Sequence, residues 1–150
     1  MNAMRIYLDN CCYNRPYDDQ SQIRISLETQ AKLFIQERIT AGKMELVSSY
    51  VLIAENSMNR ILSKRDSIRN FISRHTKYYV SISHKDEIEN KAAQIMLGGV
   101  KFVDACHVAC AVFAECGYFV STDYRMLKYK TDKIKLLNPI DFLLETEGTL

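Results

Sequence analysis

The chain contains 150 residues, of which 47% are hydrophobic, 10% aromatic and 25% charged, and only five are glycine and two proline. This length corresponds to about one domain with a core of its own, and the composition excludes a disordered chain and a coiled coil. The net charge of +2 is too small to indicate nucleic-acid binding by itself and too small to exclude it.

Short β-rich runs alternate along the chain with longer segments of helical periodicity. Strands are predicted, in chain order, at residues 6–8, 45–48, 78–82, 118–121 and 134–137. Helices are predicted at residues 21–40, 50–62, 65–76, 83–98, 102–115 and from residue 139 onward, with Ser49 and Ser83 as N-caps of the second and fourth. This alternation predicts an α/β fold, a three-layer α/β/α sandwich with a mainly parallel, five-stranded sheet, formed by residues 1–150 as a single domain.

The sequence predicts neither a membrane span nor a secretory signal. The longest apolar run, residues 108–114, is far shorter than the roughly 20 residues that a span requires. The N-terminal residues lack the long apolar core and the cleavage site of a signal peptide. Five cysteines, an odd number in a chain that can build its own core, predict reduced thiols and a cytoplasmic location.

Two acidic residues directly follow predicted strands. Asp9 comes after the first strand, and Asp123 comes shortly after the fourth. In parallel sheets, ligands bind beyond the carboxyl ends of the strands, so this is where chemistry is expected. Asp is also common in turns and helix caps, which explains each residue singly without any function.

Glu55 is predicted to interrupt an apolar helix face. In a helix over residues 50–62, Val51, Met58 and Leu62 share the face on which Glu55 lies. Burying an unpaired carboxylate on such a face costs free energy, so Glu55 is predicted to be a site residue. The alternative is a side chain that reaches solvent or pairs with a cation.

Asp104 lies in the first turn of the most apolar predicted helix, residues 102–115. The favourable interaction of an acidic side chain with the helix dipole is enough to explain Asp104 at this position without any function. If Asp104 converges with Asp9, Glu55 and Asp123, however, the cluster requires protons or a cation to neutralise it. Hard oxygen ligands suit Mg²⁺ or Mn²⁺, which can promote cleavage of a phosphodiester.

The order of these motifs resembles the PIN-domain ribonucleases, a family that includes the VapC-type toxins. The resemblance extends from residue 5 to about residue 143 and rests on Ile6-Tyr7-Leu8-Asp9-Asn10, Ser48-Ser49-Tyr50-Val51-Leu52-Ile53-Ala54-Glu55, Asp104-Ala105-Cys106-His107-Val108-Ala109-Cys110-Ala111 and Ser121-Thr122-Asp123. By this resemblance, a metal-binding catalytic quartet is formed by Asp9, Glu55, Asp104 and Asp123. It also implies polar support from Asn10, Ser121 and Thr122, a Mg²⁺ or Mn²⁺ cofactor, an RNA substrate, a small antitoxin and a homodimer.

Basic side chains supply candidate contacts to an RNA backbone. The candidates are Arg15 in the first loop, Arg60 in a basic helical segment and Lys128 in a lysine-rich stretch that ends at residue 135. Solvated helix faces and protection of an edge strand explain these charges equally well.

Three further residues of the apolar helix receive structural interpretations. Cys106 and Cys110 lack a C-x-x-C partner and are predicted to be small core residues rather than zinc ligands. His107 is predicted to form a local hydrogen bond on a helix face.

Two other α/β classes fail at named positions. A receiver domain requires an Asp after its third strand, where this chain has Ser83, and a Lys after its fifth, where it has Asn138. A haloacid-dehalogenase-type phosphatase requires Asp-x-Asp, but Asp9 is followed by Asn10 and Cys11. The alternative that stays open is a non-catalytic PIN-like module that binds RNA or a protein partner.

Overall fold

The computed structural model describes residues 4–147, which form a five-stranded sheet in which every neighbouring pair of strands is parallel. In chain order, the strands are β1 (Met4–Leu8), β2 (Met44–Ser49), β3 (Thr76–Val80), β4 (Tyr118–Val120) and β5 (Lys135–Leu137). Their order across the sheet is β3-β2-β1-β4-β5, which places β1 at the centre. The predicted α/β class with five strands is confirmed, and the sheet is wholly parallel rather than mainly so.

Helices connect the strands and cover both faces of the sheet. Within residues 4–147 they are α1 (Asn10–Asn14), α2 (Ile23–Thr40), α3 (Tyr50–Ser57), α4 (Leu62–His75), α5 (Lys85–Met96), α6 (Phe102–Phe113) and α7 (Pro139–Thr146). Single 3-10 turns occupy residues 15–17, 82–84 and 126–128. None of the helices in this part of the chain combines the length and the apolar character needed to cross a membrane.

The side chains of β1 alternate between two hydrophobic cores, one on each face of the sheet. Ile6 and Leu8 lie in the core that α2, α4 and α7 cover, whereas Tyr7 lies in the core that α5 and α6 cover. All three side chains are fully buried. Because successive strand residues point to opposite faces, a strand covered on both sides is apolar throughout. This arrangement confirms the predicted three-layer sandwich.

The strand register brings the carboxyl ends of the central strands to one edge of the sheet. Ile6 of β1 aligns with Leu46 of β2 on one side and with Tyr118 of β4 on the other. The backbone N–H of Asp9 donates to the carbonyl of Val120 at 2.9 Å, which continues the contact between β1 and the end of β4. The loops that follow β1, β2 and β4 therefore start beside one another.

The predicted helix over residues 50–62 begins where predicted but ends early, because α3 stops at Ser57 and α4 begins at Leu62. Asn56 is buried, and its side-chain Nδ2 donates to the carbonyl of Arg65 at 3.0 Å across the turn. Asn and Ser side chains compete with the helical backbone for hydrogen bonds, which favours an end at Ser57. Met58 and Leu62, predicted to form part of an apolar face, are 80% and 59% exposed.

One of the two predicted N-caps is confirmed. The Oγ atom of Ser49 accepts a hydrogen bond from the backbone N–H of Leu52 at 3.1 Å, as a capping serine does. The prediction for Ser83 is wrong, since the strand before it ends at Val80 and Ser81 instead accepts from the N–H of Ser83 at 3.2 Å. This short turn delays the start of α5 to Lys85.

A buried lysine lies between α2 and its neighbours on one face of the sheet. The Nζ atom of Lys32 donates to Oε1 of Gln36 at 2.7 Å and lies 5.6 Å and 5.7 Å from the ring centroids of Tyr13 and Phe71. Burial lowers the pKa of Lys32 from 10.5 to about 8. Near neutral pH, the burial of this ammonium group therefore lowers the stability of the folded protein. The contacts with the aromatic rings offset part of that loss.

We expect Lys32→Met to raise the melting temperature (Tm) at pH 7 and to lose that advantage by about pH 10. Between pH 8 and 10.5 the unfolded lysine binds a proton that the folded lysine has released, so wild-type stability rises with pH across this window. The full shift corresponds to about 3 kcal/mol, which is an upper limit for the gain. Thermal melts of wild type, Lys32→Met and the exposed control Lys43→Met at both pH values test this. An equal difference at pH 7 and pH 10 would contradict it.

Candidate metal centre

Asp9 is held rigidly at the end of β1. It is buried, its Oδ1 accepts from the backbone N–H of Asn10 at 2.8 Å, and it is the N-cap of α1. Its Oδ2 accepts from the hydroxyl of Ser121 at 2.9 Å. Both oxygens of the carboxylate therefore have fixed directions before any ligand binds.

Asp123 is tied to Asp9 through the same serine. The hydroxyl oxygen of Ser121, which is fully buried, accepts from the backbone N–H of Asp123 at 3.0 Å while the hydroxyl donates to Asp9. The Oδ1 atom of Asp123 accepts from the backbone N–H of Arg125 at 3.0 Å. Ser121 thus joins two acidic residues that are 114 positions apart in the chain.

Glu55 reaches this edge from α3, although not for the reason that the sequence indicated. Val51 and Met58 line one groove with Glu55, but this apolar face is open to solvent: Met58 is 80% exposed and the Glu55 side chain 34%. Its Oε1 lies 2.9 Å from Nε2 of His107. One ligand atom from each of Asp9, Glu55 and His107 can be chosen so that all three lie within 4.8 Å of one another.

His107 is central to the site, and its predicted local hydrogen bond is wrong. The ring is fully buried, and its Nδ1 lies 2.7 Å from the hydroxyl of Tyr7, which lies 2.6 Å from Oγ of Ser49. Burial alone would lower the pKa of His107, but the hydrogen bond to Glu55 and the charge of Asp9 outweigh it, so the pKa is raised. A signal was available in the sequence, because His107 follows Asp104 by three residues and so shares its helix face.

Asp104 lies in the same electrostatic field. Burial raises its pKa, the charges of Asp9 and Asp123 raise it further, and His107 acts in the opposite direction. Asp104 and Asp123 line one cavity of about 110 Å³, with Lys101 and Arg125 on its wall. The four predicted acids therefore share one region of the molecule.

The predicted supporting residues lie at this edge, in different surroundings. Thr122 is buried, and its backbone N–H contacts Sγ of Cys11 at 3.3 Å. The same Sγ lies 3.5 Å from Oδ2 of Asp9. The Oδ1 atom of Asn10 is buried and has no hydrogen-bond partner among residues 4–147.

Arg15, a predicted RNA contact, is engaged within the protein. Its guanidinium pairs with Asp18 at 3.0 Å and with the fully buried Glu28 at 2.9 Å, and its side chain is 15% exposed. The hydroxyl of Tyr124 donates to Glu28 at 3.2 Å, so this cluster also holds the loop that carries Asp123. Two other predicted contacts, Arg60 and Lys128, are exposed.

The donor set at this edge fits a small divalent cation. Several carboxylates in partly buried positions repel one another unless a positive charge neutralises them. Carboxylate oxygens are the preferred ligands of Mg²⁺ and Mn²⁺. Cys106 and Cys110 are buried free thiols, which confirms their predicted place in the core.

No known protein-family profile matches this sequence, and no curated protein shows significant similarity to it. Among solved structures, the chain is similar to a chain in the crystal structure of VapBC2 from Rickettsia felis bound to a DNA fragment from their promoter. The two chains share 12% sequence identity with a TM-score of 0.60, and the match covers 90% of this chain and 98% of the other. At that identity the similarity shows the fold, which confirms the predicted PIN-like architecture.

We expect Asp104→Asn to melt at a temperature a few degrees higher than wild type in the presence of a chelator. Asp104 has a raised pKa, so the folded state binds its proton more tightly than the unfolded state does. Its charged form therefore destabilises the metal-free protein as pH rises through that pKa. Mn²⁺ should raise the Tm of wild type by mass action and raise that of the variant less.

Asp86→Asn is the matched control, since Asp86 also lies in the first turn of a helix but belongs to α5 and is exposed. It should lower the Tm slightly in chelator and leave the Mn²⁺ shift unchanged. If Asp104→Asn behaves like Asp86→Asn, Asp104 is only a helix-capping charge and the acids form no common site.

Proposed function

We propose that this protein is a divalent-metal-dependent endoribonuclease that hydrolyses RNA phosphodiester bonds. The observation that carries the proposal is the meeting of Asp9, Glu55 and His107, whose ligand atoms lie within 4.8 Å of one another at the carboxyl edge of the sheet. The charges of Asp9, Asp123 and Glu55 also act on Asp104. An acid with a raised pKa among other carboxylates at such an edge favours a catalytic site over a set of unrelated surface charges.

Four carboxylates would hold the Mg²⁺ or Mn²⁺ ion: Asp9, Glu55, Asp104 and Asp123. When bound, such an ion supplies Lewis-acid chemistry at a phosphodiester and lowers the pKa of water. The side chains supply the orientation, since Asp9 and Asp123 are already fixed by backbone N–H groups and by Ser121. This rigidity limits the reorganisation required during the reaction.

Water is the proposed nucleophile, attacking the phosphorus in line with the leaving 3′-oxygen. The P–O3′ bond breaks, which leaves a 5′-phosphate and a 3′-hydroxyl. No protein side chain is required as a nucleophile, and the ribose 2′-hydroxyl takes no part. These product ends distinguish the proposed reaction from that of ribonucleases that pass through a cyclic phosphate.

RNA would approach over exposed basic residues. Arg60 and Lys128 are exposed and remain the proposed backbone contacts. Arg15 is a weaker candidate, because its guanidinium is held by Asp18 and Glu28. We assign to Arg15 the anchoring of α2 against the first loop.

A toxin–antitoxin role is the proposed biological setting. The similar solved structure is a VapBC2 complex on promoter DNA, which supports an antitoxin as partner of this chain. A homodimer is proposed from the sequence resemblance alone. An apolar groove of about 320 Å³ opens beside Glu55, lined in part by Val51, Met58, Phe102 and Val103. We propose that the antitoxin covers this groove. Free thiols at all five cysteines support the cytoplasm as the compartment.

We expect the purified protein to cleave a mixed RNA pool in Mn²⁺ or Mg²⁺ and to stop when a chelator is added. Asp9→Asn and Glu55→Gln should each reduce the rate about 100-fold or more, the scale of losing one group that acts in the transition state. Asp66→Asn, an exposed acid on α4, should cleave like wild type.

The fragment ends identify the enzyme. Products should carry 5′-phosphates and should accept a kinase label only after phosphatase treatment. Equal cleavage by all variants, or fragments with cyclic phosphates, would indicate a contaminating nuclease. Full Mn²⁺ binding with no cleavage of any RNA would favour the non-catalytic RNA-binding module.

We expect the tagged protein to co-purify from its native host with a small protein encoded beside it, and to elute alone as a dimer on sizing. Met58→Asp should reduce recovery of the partner, because it places a charge in the apolar groove. Leu144→Asp, an exposed apolar residue of α7, is the control. A monomer without a partner, or equal recovery with both variants, would contradict this prediction.

A further inference from the structure

Among the acids at the carboxyl edge, Glu55 is held differently from Asp9 and Asp123. Backbone N–H groups donate to the carboxylates of Asp9 and Asp123. Within residues 4–147, the only side-chain hydrogen bond of the Glu55 carboxylate is the one to Nε2 of His107, at 2.9 Å. A long, partly exposed glutamate without that contact would sample several rotamers. The direction of Glu55 therefore depends on His107.

His107 is itself immobilised by a chain of buried hydroxyl groups. Its Nδ1 contacts the hydroxyl of Tyr7 at 2.7 Å, and that hydroxyl contacts Oγ of Ser49 at 2.6 Å. The Tyr7 ring stacks on Phe119 with centroids 5.4 Å apart and planes at 10°. These contacts fix the orientation of the imidazole from the side opposite Glu55.

The hydrogen-bond pattern is complete when Nε2 of His107 donates to Glu55. In the neutral ring with its proton on Nε2, Tyr7 donates to Nδ1 and Ser49 donates to Tyr7. In the charged ring, Nδ1 donates to Tyr7 instead, and Nε2 still donates to Glu55. Both arrangements direct the same N–H toward the same carboxylate.

We propose that His107, held by Tyr7, is a positioning residue that presents the Glu55 carboxylate to the divalent ion. This inference rests on the proposed function. In it, His107 acts by orienting Glu55 and is not itself a metal ligand. Hydrogen-bonded partners of ligating carboxylates have this role in metal sites, and their loss weakens metal binding about 10–100-fold. Neither the sheet architecture nor the four acids by themselves require a histidine in this positioning role.

The test measures Mn²⁺ affinity by electron paramagnetic resonance of the free ion, without reference to activity. His107→Leu should weaken Mn²⁺ binding about 10-fold or more, and His107→Gln should recover most of that loss because its amide replaces the Nε2–H donor. Tyr7→Phe should give an intermediate loss of Mn²⁺ affinity, since it removes the hydroxyl group that holds the imidazole but leaves the imidazole itself in place. His84→Gln, which alters a histidine packed on Phe113 outside the site, is the matched control.

A double variant shows whether His107 acts through Glu55. Adding His107→Leu to Glu55→Gln should cost little beyond Glu55→Gln alone, since the partner that His107 orients is already neutral. Additive losses would overturn the inference, and so would a ¹⁴N coupling that marks His107 as a direct ligand of Mn²⁺. Wild-type affinity in both His107→Leu and Tyr7→Phe would overturn it as well. Tyr7→Phe and His107→Gln keep the test decisive if His107→Leu does not fold.

Failure of the inference is distinguishable from failure of the proposed function. If wild type binds Mn²⁺ and Glu55→Gln does not, while the His107 variants bind normally, the metal site stands and the inference is wrong. If wild type does not bind Mn²⁺, or Glu55→Gln binds it equally well, the proposed site and the inference are both wrong.

Discussion

Mutual repulsion among carboxylates is the constraint that shapes the carboxyl edge of this sheet. Parallel strands bring Asp9 and Asp123 to one place, and α3 and α6 add Glu55 and Asp104. Among residues 4–147, none of these four acids forms an ion pair with an arginine or lysine. Directed hydrogen bonds offset the repulsion instead, from backbone N–H groups, Ser121 and His107. Burial raises the pKa of Asp104, and the charges of Asp9 and Asp123 raise it further, so the hydrogen bonds do not remove the repulsion completely. Such residual strain is typical of a site that a cation completes.

Most of the fold could be predicted because the strands and helices are determined mainly by the residues within them. Ile6, Tyr7 and Leu8 of β1 are apolar on both faces, which marks a central strand of a covered sheet, and Ser49 signals the start of α3 before any tertiary contact is known. The errors lie where the end of an element depends on a contact with a residue outside that element. Asn56, at the end of α3, bonds to the carbonyl of Arg65, and the hydroxyl of Ser81 accepts from the N–H of Ser83 in the turn before α5. Helical periodicity contains neither fact.

The site was predictable in a similar measure. Asp9 and Asp123 follow strands, and topology alone brings strand ends together. Glu55 was identified through an apolar face that proves to be exposed to solvent, so the predicted cost of burying its carboxylate is not what explains its position. His107 was misinterpreted because its partners are 52 and 100 residues away in the chain. A buried polar group that joins three separate elements leaves little trace in a single sequence beyond its spacing from Asp104.

The sharing of Ser121 between Asp9 and Asp123 has a consequence for local unfolding. Asp9 directly follows β1, the strand that β2 and β4 flank, whereas Ser121 and Asp123 belong to the C-terminal third, which adds β4, β5 and α7 at one side of the sheet. Any opening between β1 and β4 breaks the serine bridge and separates the acids, while β1, β2 and β3 can remain paired. Cooperative units of this size open more often than the whole protein unfolds. Amide hydrogen exchange in residues 118–137 would therefore report how often the acidic cluster comes apart in the native state.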